Sequence, residues 1–238
     1  MGNSGLKQHF ETSKKTGVLT LSNEKLTEFP PQLKQLHGNL RSLDISNNKF
    51  IILPDEIKNF NQLKHFNFSN NKLKTLPETI GDVQKLETLN GNSNVLFKLP
   101  KSLSNLRNLK QVSLSNNNFQ EFPLVFGGLK HLDLLDLSQN KITTIPDEVK
   151  LLYVIELNVN QNQISTISKS IASAPRLKTL RLEENCLPIA EIHTEILKNS
   201  EISTLSLEGN LFDTKQFMET DGYEDYMIRF TAVKKKMF

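Results

Sequence analysis

Leu40-Arg41-Ser42-Leu43-Asp44-Ile45-Ser46-Asn47-Asn48-Lys49-Phe50 decides the fold, because its frame returns down the whole chain. Reduced to Leu-x-x-Leu-x-Ile-x-x-Asn-x-Phe, it reappears at Leu63, Phe66, Phe68, Asn71 and Leu73, and again at Leu109, Val112, Leu114, Asn117 and Phe119. Further copies begin at Leu132, Val154, Leu177 and Ile202; a weaker one runs through Leu86, Leu89, Asn94 and Leu96, and a degenerate first copy has Glu24 in the Asn position. The residues in that position are Glu24, Asn48, Asn71, Asn94, Asn117, Asn140, Asn162, Asn185 and Asn210, at spacings of 24, 23, 23, 23, 23, 22, 23 and 25. A register held so closely over nine copies is the mark of a repeat architecture in which each copy is one coil.

The residue types follow from the geometry of a coil. The Leu-x-Leu segment reads as a short strand whose two leucines point inward and whose x positions point outward, since side chains alternate along a strand. Strands of adjacent coils pair in parallel at about 4.8 Å. The Asn that follows turns inward, and its amide offers both donors and an acceptor to backbone groups that no sheet ladder reaches. The second half of the coil carries an apolar residue and Pro, as in Phe29-Pro30, Leu53-Pro54, Leu76-Pro77, Leu99-Pro100, Phe122-Pro123 and Ile145-Pro146. Proline suits extended backbone or the first turn of a helix. The pattern matches the leucine-rich repeat, and the expected fold is an α/β leucine-rich repeat solenoid. It would carry a curved parallel sheet on the concave side, with extended and short helical segments on the convex side. The expected division is 1–16 as an N-terminal cap with a lipidation site, 17–212 as a solenoid of about nine coils, and 213–238 as a C-terminal cap and basic tail.

Four places depart from the frame. Gly91 stands in an inward leucine position, which predicts a thin core there and a gain in stability from Gly91→Leu. Ser168 replaces the repeat proline, and the coil of Cys186 lacks it. Ile189 to Leu197 reads as one amphipathic helix with Ile192 and Ile196 on one face. Solenoid ends need covering; Leu6 to Lys15 reads as a capping helix started by Ser4, and Phe217, Tyr223, Tyr226, Met227 and Phe230 as an aromatic cap at the other end.

Composition narrows the function classes. With 29 Lys+Arg against 26 Asp+Glu, the net charge of +3 is too balanced for a general nucleic-acid binder. No apolar run is long enough for a transmembrane helix, and Met1 to Lys15 holds no apolar block of a secretory signal. Cys186 is the only cysteine, so no internal disulfide forms and a reducing, intracellular compartment is expected. It reads as an ordinary packed or half-buried thiol. No phosphate-binding glycine loop, metal-ligand spacing or nucleophile elbow is present, and His9, His37, His65, His131 and His193 are dispersed. The sequence therefore predicts no catalytic residue, cofactor, metal, nucleic-acid partner or small-molecule substrate.

The concave face is the default binding surface of such a solenoid. Its outward columns give the candidate partner-binding residues His65, Asn67, Asn90, Gln111, Asp136, Glu156, Asn158, Asn160, Arg181 and Glu183. The middle of the face is rich in Asn and Ser, and its C-terminal third is charged and mostly acidic. At the N-terminus, Met1-Gly2-Asn3-Ser4 exposes Gly2 as a candidate for myristoylation, although Leu6 stands where the strict pattern has Ser or Thr. Lys7, Lys14 and Lys15 add a modest basic signal, and Lys234-Lys235-Lys236 forms a short basic tail.

Met1-Gly2-Asn3-Ser4, with Thr27-Glu28-Phe29-Pro30, Leu180-Arg181-Leu182-Glu183-Glu184-Asn185-Cys186-Leu187 and Glu208-Gly209-Asn210-Leu211-Phe212, carries a resemblance to the intracellular leucine-rich repeat proteins of the 23-residue Leu-Pro type, similar to scaffold proteins of the Ras-signalling group. The resemblance implies a non-enzymatic protein with a lipid anchor at Gly2 and a membrane-associated location. The leading expectation is a scaffold or adaptor binding an unknown protein partner on the concave face. The alternatives are a regulatory subunit of a phosphatase or ubiquitin ligase, or a peripheral membrane protein whose main partner is lipid.

Overall fold

A computed structural model of the chain describes residues 3–235, and side chains from residue 8 onward. Gly2, Lys236 and the side chains of Ser4, Leu6 and Lys7 lie outside the described residues. The chain divides into two compact units, residues 1–118 and 119–238.

In the N-terminal unit, helix α1 (Asn3–Thr16) precedes five three-residue parallel strands: β1 (Val18–Thr20), β2 (Ser42–Asp44), β3 (His65–Asn67), β4 (Thr88–Asn90) and β5 (Gln111–Ser113). Their register is that of the repeat, so Leu43, Phe66, Leu89 and Val112 stand side by side and are buried. The chain returns through 3-10 turns at Pro31–Leu36, Asp55–Asn59, Glu78–Asp82 and Lys101–Asn105. Pro54, Pro77 and Pro100 stand before the last three of these, at φ of −66°, −71° and −68° in extended backbone. Their rings hold the one dihedral this corner needs. From α1, Phe10 and Ser13 are buried, and the Ser13 hydroxyl donates to His9 O and Val18 O.

In the C-terminal unit the strands are β6 (Leu134–Asp136), β7 (Thr144–Ile145), β8 (Glu156–Asn158), β9 (Thr166–Ile167), β10 (Thr179–Arg181) and β11 (Thr204–Ser206). Here β6, β8, β10 and β11 run parallel in that order, while β7 and β9 form a second short parallel pair on the returning side. Helix α2 (Thr194–Lys198) lies between β10 and β11, and α3 (Thr214–Met218) and α4 (Tyr223–Lys234) follow β11. Phe217, Tyr223, Tyr226 and Phe230 do cluster, with ring centroids 5.2 to 6.0 Å apart, and Tyr226 is buried.

The single helix expected over 189–197 is two elements. A 3-10 turn at Ile189–Glu191 is separated from α2 by His193, which is extended at φ −61°, ψ 140°. Both side chains are tied to β9: the Glu191 carboxylate accepts the Ile167 N–H at 2.9 Å, and His193 Nε2 lies 2.8 Å from Ile167 O. The coil of Cys186 has Glu191 where the repeat places its proline, six residues after the asparagine, and Pro188 instead precedes the earlier 3-10 turn. Ser168 does the work of the missing ring in the coil before, because its Oγ accepts the Ser170 N–H at 3.0 Å. Cys186 is exposed, not packed, because the side chain that turns inward at this corner is that of Asn185.

The asparagines bind the coils as expected. Asn71 is buried; its Nδ2 donates to Ile45 O and Phe68 O at 3.0 Å and to Ser69 O at 3.2 Å, and its Oδ1 accepts the Phe50 N–H at 3.0 Å. At six coils the carbonyl three residues before the asparagine serves two amides, its own and that of the next coil. Ile45, Phe68 and Gly91 do so in the N-terminal unit. Leu137, Val159 and Leu182 do so in the C-terminal unit. The residue just before each of these asparagines is left-handed. Asn47, Asn70, Ser93, Asn116, Gln139, Gln161 and Glu184 have φ between 53° and 56°, and Gly209 has 77°. That turn aims the next side chain inward, and Asn tolerates it better than Ser, Gln or Glu.

Gly91 is not a hole. A Cβ there would lie 2.4 Å from Cε2 and 2.5 Å from Cζ of Phe68, and 3.0 Å from Leu114 Cδ2. Phe68 holds the same position one coil earlier and is fully buried, so its ring fills the space a leucine at 91 would take. The expected gain from Gly91→Leu is thereby reversed. That variant is expected to lose about 1–3 kcal/mol, the usual cost of overpacking, measured by urea unfolding. Phe68→Leu in the same chain should recover part of the loss, and a rise in stability from Gly91→Leu alone would contradict this packing.

Candidate functional site

The outward strand positions of each unit line up in columns. In the N-terminal unit Ser42, His65, Thr88 and Gln111 are neighbours, as are Asp44, Asn67, Asn90 and Ser113. In the C-terminal unit Leu134, Glu156, Thr179 and Thr204 are neighbours, as are Asp136, Asn158, Arg181 and Ser206. The structure thus brings His65, Asn67, Asn90 and Gln111 together on β3 to β5. It brings Asp136, Glu156, Asn158, Asn160, Arg181 and Glu183 together on and just after β6, β8 and β10.

Much of one column is structural. Oδ1 of Asn67, Asn90, Asp136 and Asn158 accepts the N–H of the second residue on: Ser69 at 3.1 Å, Asn92 at 3.2 Å, Ser138 at 2.9 Å and Asn160 at 3.1 Å. Each thereby ends its strand and starts the left-handed turn, as Asx side chains do. His65 Nδ1 lies 3.2 Å from Thr88 Oγ1, and both His65 and Gln111 are exposed.

The charged part of the face is cross-braced. Arg181 Nε donates to Glu156 Oε1 at 2.7 Å across β8 and β10. Asn160 binds Glu183 twice, its Oδ1 accepting the Glu183 N–H at 2.9 Å and its Nδ2 donating to the Glu183 carboxylate. One row further, Gln139 Nε2 donates to Gln161 Oε1 at 2.6 Å, and Gln161 Nε2 to Glu184 Oε2 at 2.9 Å. Of the six candidates in this unit, four are therefore joined pairwise from coil to coil.

Two features escape a reading of columns alone. Asn92 accepts from Ser113 Oγ at 2.7 Å and from the Ser115 N–H at 2.8 Å, bracing β4 to β5. Just before the strands, Glu87 sits between Lys64 at 2.8 Å and Lys110 at 2.6 Å. The signal for this bracket was present as Lys, Glu and Lys one coil apart. Among the described residues no group of three or more His, Cys, Asp or Glu is placed to hold a metal ion. No described helix is long and apolar enough to cross a membrane.

A family model for the leucine-rich repeat matches residues 39–60, 62–83, 108–129 and 131–152. These are four of the coils whose asparagine ladder and strand register are described above. The fold is that of a leucine-rich repeat solenoid. Among solved structures, this leucine-rich repeat chain is similar to a leucine-rich repeat protein of Leptospira interrogans, with 31% identity over 87% of this chain and a TM-score of 0.75. It shares its fold with the plant peptide hormone receptor RGFR1, solved in complex with RGF2, at 24% identity over 81% of this chain and a TM-score of 0.64. It also shares its fold with YopM from Yersinia enterocolitica, at 23% identity over 88% of this chain and a TM-score of 0.62. The chain spans 58%, 32% and 43% of those three chains.

Lys110 first, and Lys64 after it, hold the Glu87 carboxyl at about 2, well below its ordinary 4.5. The folded chain thus keeps Glu87 ionised where the unfolded chain has begun to take up a proton, and the stability this supplies is complete above pH 4.5 and lost as pH falls through 2. The melting-temperature gap between the wild type and Glu87→Gln should accordingly hold steady from pH 7 to 5 and close toward pH 2. Thermal unfolding followed by circular dichroism checks this, and a gap unchanged at pH 2 would contradict the bracket.

Proposed function

We propose that this leucine-rich repeat chain is a protein-interaction scaffold or adaptor whose partner docks on the outward face of β8 and β10. The observation that carries this reading is the coil-to-coil bracing of Arg181 with Glu156 and of Asn160 with Glu183. Long side chains held in place before a partner arrives lose less freedom on binding. Asp136 and Asn158 extend the same face, and the mixed charges favour a protein surface of complementary pattern over nucleic acid, whose phosphates ask for Lys and Arg. His65, Asn67, Asn90 and Gln111 form a less charged second surface of the same kind. Leucine-rich repeats present such faces to proteins, and a regulatory subunit of a phosphatase or ubiquitin ligase is a narrower form of this proposal.

Arg181→Glu combined with Glu183→Lys reverses the charges on the braced face without touching the asparagine ladder. Partner proteins captured by cross-linking from cells are expected to fall about ten-fold with this variant, while its melting temperature stays within a few degrees of wild type. Unchanged capture by a folded variant would place the contact elsewhere.

The membrane tether is a separate part of the proposal, and it rests on sequence. Met1-Gly2-Asn3-Ser4 supports a myristoyl group on Gly2, and Lys14 and Lys15 in the last turn of α1 supply a basic second signal, since one acyl chain alone anchors only marginally. Across its length the chain also resembles leucine-rich repeat-containing protein 57, which supports an intracellular, membrane-associated location for a non-enzymatic protein. The N-terminal peptide of protein made in eukaryotic cells is expected to carry the mass of a myristoyl group, lost in Gly2→Ala. A free or acetylated Gly2 would overturn the tether and leave the braced face untouched.

A further inference from the structure

The last coil of the C-terminal unit leaves open a set of donors that every earlier coil of that unit satisfies. From coil to coil, two N–H groups past the strand donate to carbonyls of the next coil. Leu137 and Gln139 donate to Asn158 O and Asn160 O, Val159 and Gln161 to Arg181 O and Glu183 O, and Leu182 and Glu184 to Ser206 O and Glu208 O, all at 2.7 to 2.9 Å. A third N–H, two residues after the ladder asparagine, takes the Oδ1 of the next asparagine: Ile142 from Asn162, Ile164 from Asn185 and Leu187 from Asn210, at 3.0 to 3.1 Å. In the coil of β11 the corresponding donors are the N–H groups of Leu207, Gly209 and Phe212.

Helix α4 covers the beginning of this edge and not its end. Tyr226 Oη accepts the Leu205 N–H at 3.1 Å, and Arg229 donates to Ile202 O and Leu197 O. Beyond Leu205, the N–H groups of Leu207, Gly209 and Phe212 have no partner among the described residues. All three residues line one cleft, together with Leu205, Phe217 and Glu208. Unpaired strand edges are templates for another strand, and here the template is short, apolar-floored and three donors long.

We infer that this cleft takes an extended peptide from a partner protein, laid parallel to β11 as one further strand. The coil of β11 itself shows what such a strand must bring to the edge of β10: carbonyls two residues apart, at Ser206 and Glu208, and an Asn amide oxygen two residues further on, at Asn210. Charge selects among such peptides. Glu208 is exposed and its carboxylate has no partner among the described residues, Asp213 also lines the cleft, and no Lys or Arg does. The occupant is therefore basic. Main-chain pairing of this kind supplies affinity while the side-chain pockets supply choice. The inference does not rest on the braced face of β8 and β10.

The probe is a synthetic peptide copying residues 201–212 of this chain with Glu201→Lys and Glu208→Lys, titrated into the 15N-labelled full-length protein. In the free protein, the amides of Leu207, Gly209 and Phe212 should exchange with solvent far faster than those of Leu182, Glu184 and Leu187. On saturation, the first three are expected to slow by ten-fold or more. Replacing the peptide's asparagine by alanine should weaken binding about five-fold, as loss of one hydrogen bond does. Glu208→Lys in the protein should weaken it about three-fold, as loss of one exposed ion pair does. Arg181→Glu in the protein should leave peptide binding unchanged. Absence of binding at millimolar peptide, or binding that leaves those three amides unprotected, would overturn the inference. So would a concentration-dependent dimer in sedimentation that protects the same amides in the free chain, since the edge would then belong to a second copy.

Discussion

The carbonyl three residues before each ladder asparagine is the group on which both units depend. A three-residue strand satisfies few backbone groups, and the chain then turns inward, where water does not follow. The carbonyl left there would be a buried, unpaired acceptor, at a cost comparable to a lost hydrogen bond or more. The next coil answers it by placing a second asparagine amide against it, so one asparagine serves its own coil and its predecessor at once. The left-handed residue before the asparagine, the buried amide and the parallel register of the strands are three aspects of one solution.

That solution also shapes the outward face. The side-chain oxygens of Asn67, Asn90, Asp136 and Asn158 are engaged by their own backbone, because the strand has to stop where the inward turn begins. A polar face of this kind is partly a by-product of ending strands. What marks the β8–β10 region is that its outward side chains are joined across coils through charged groups, Arg181 with Glu156 and Asn160 with Glu183, where the outward strand side chains of the N-terminal unit are joined through neutral ones such as Asn92 with Ser113. Recognition is better sought there than in the mere density of polar residues.

The repeat register, the strand columns, the ladder and the proline corners were all legible in the sequence, because each is a spacing and every coil repeats it. The positions of the candidate residues within their columns were legible for the same reason. What escaped depends on contacts between coils of different composition. Gly91 looks like a defect until Phe68 is seen to fill its space. The apolar spacing of Ile192 and Ile196 suits one helix, but Glu191 and His193 are held by β9, and that attachment breaks it in two. Cys186 is exposed because the side chains turned inward at this corner are those of its neighbours Asn185 and Leu187. Which oxygen of a polar column is already engaged likewise follows from the turn and not from the column.

The pairing of Phe68 with Gly91 bears on how the chain finds its native stacking. Coils built to one pattern are nearly interchangeable, so a folding chain faces the hazard of closing one coil out of step, with the ladder still able to form. A stacking that skipped the coil of Gly91 would bring the Phe68 ring against Leu114, where a leucine already fills the slot that glycine leaves empty. One outsized side chain and one missing side chain thus number the coils of the N-terminal unit, and they give an otherwise periodic object a unique alignment with itself.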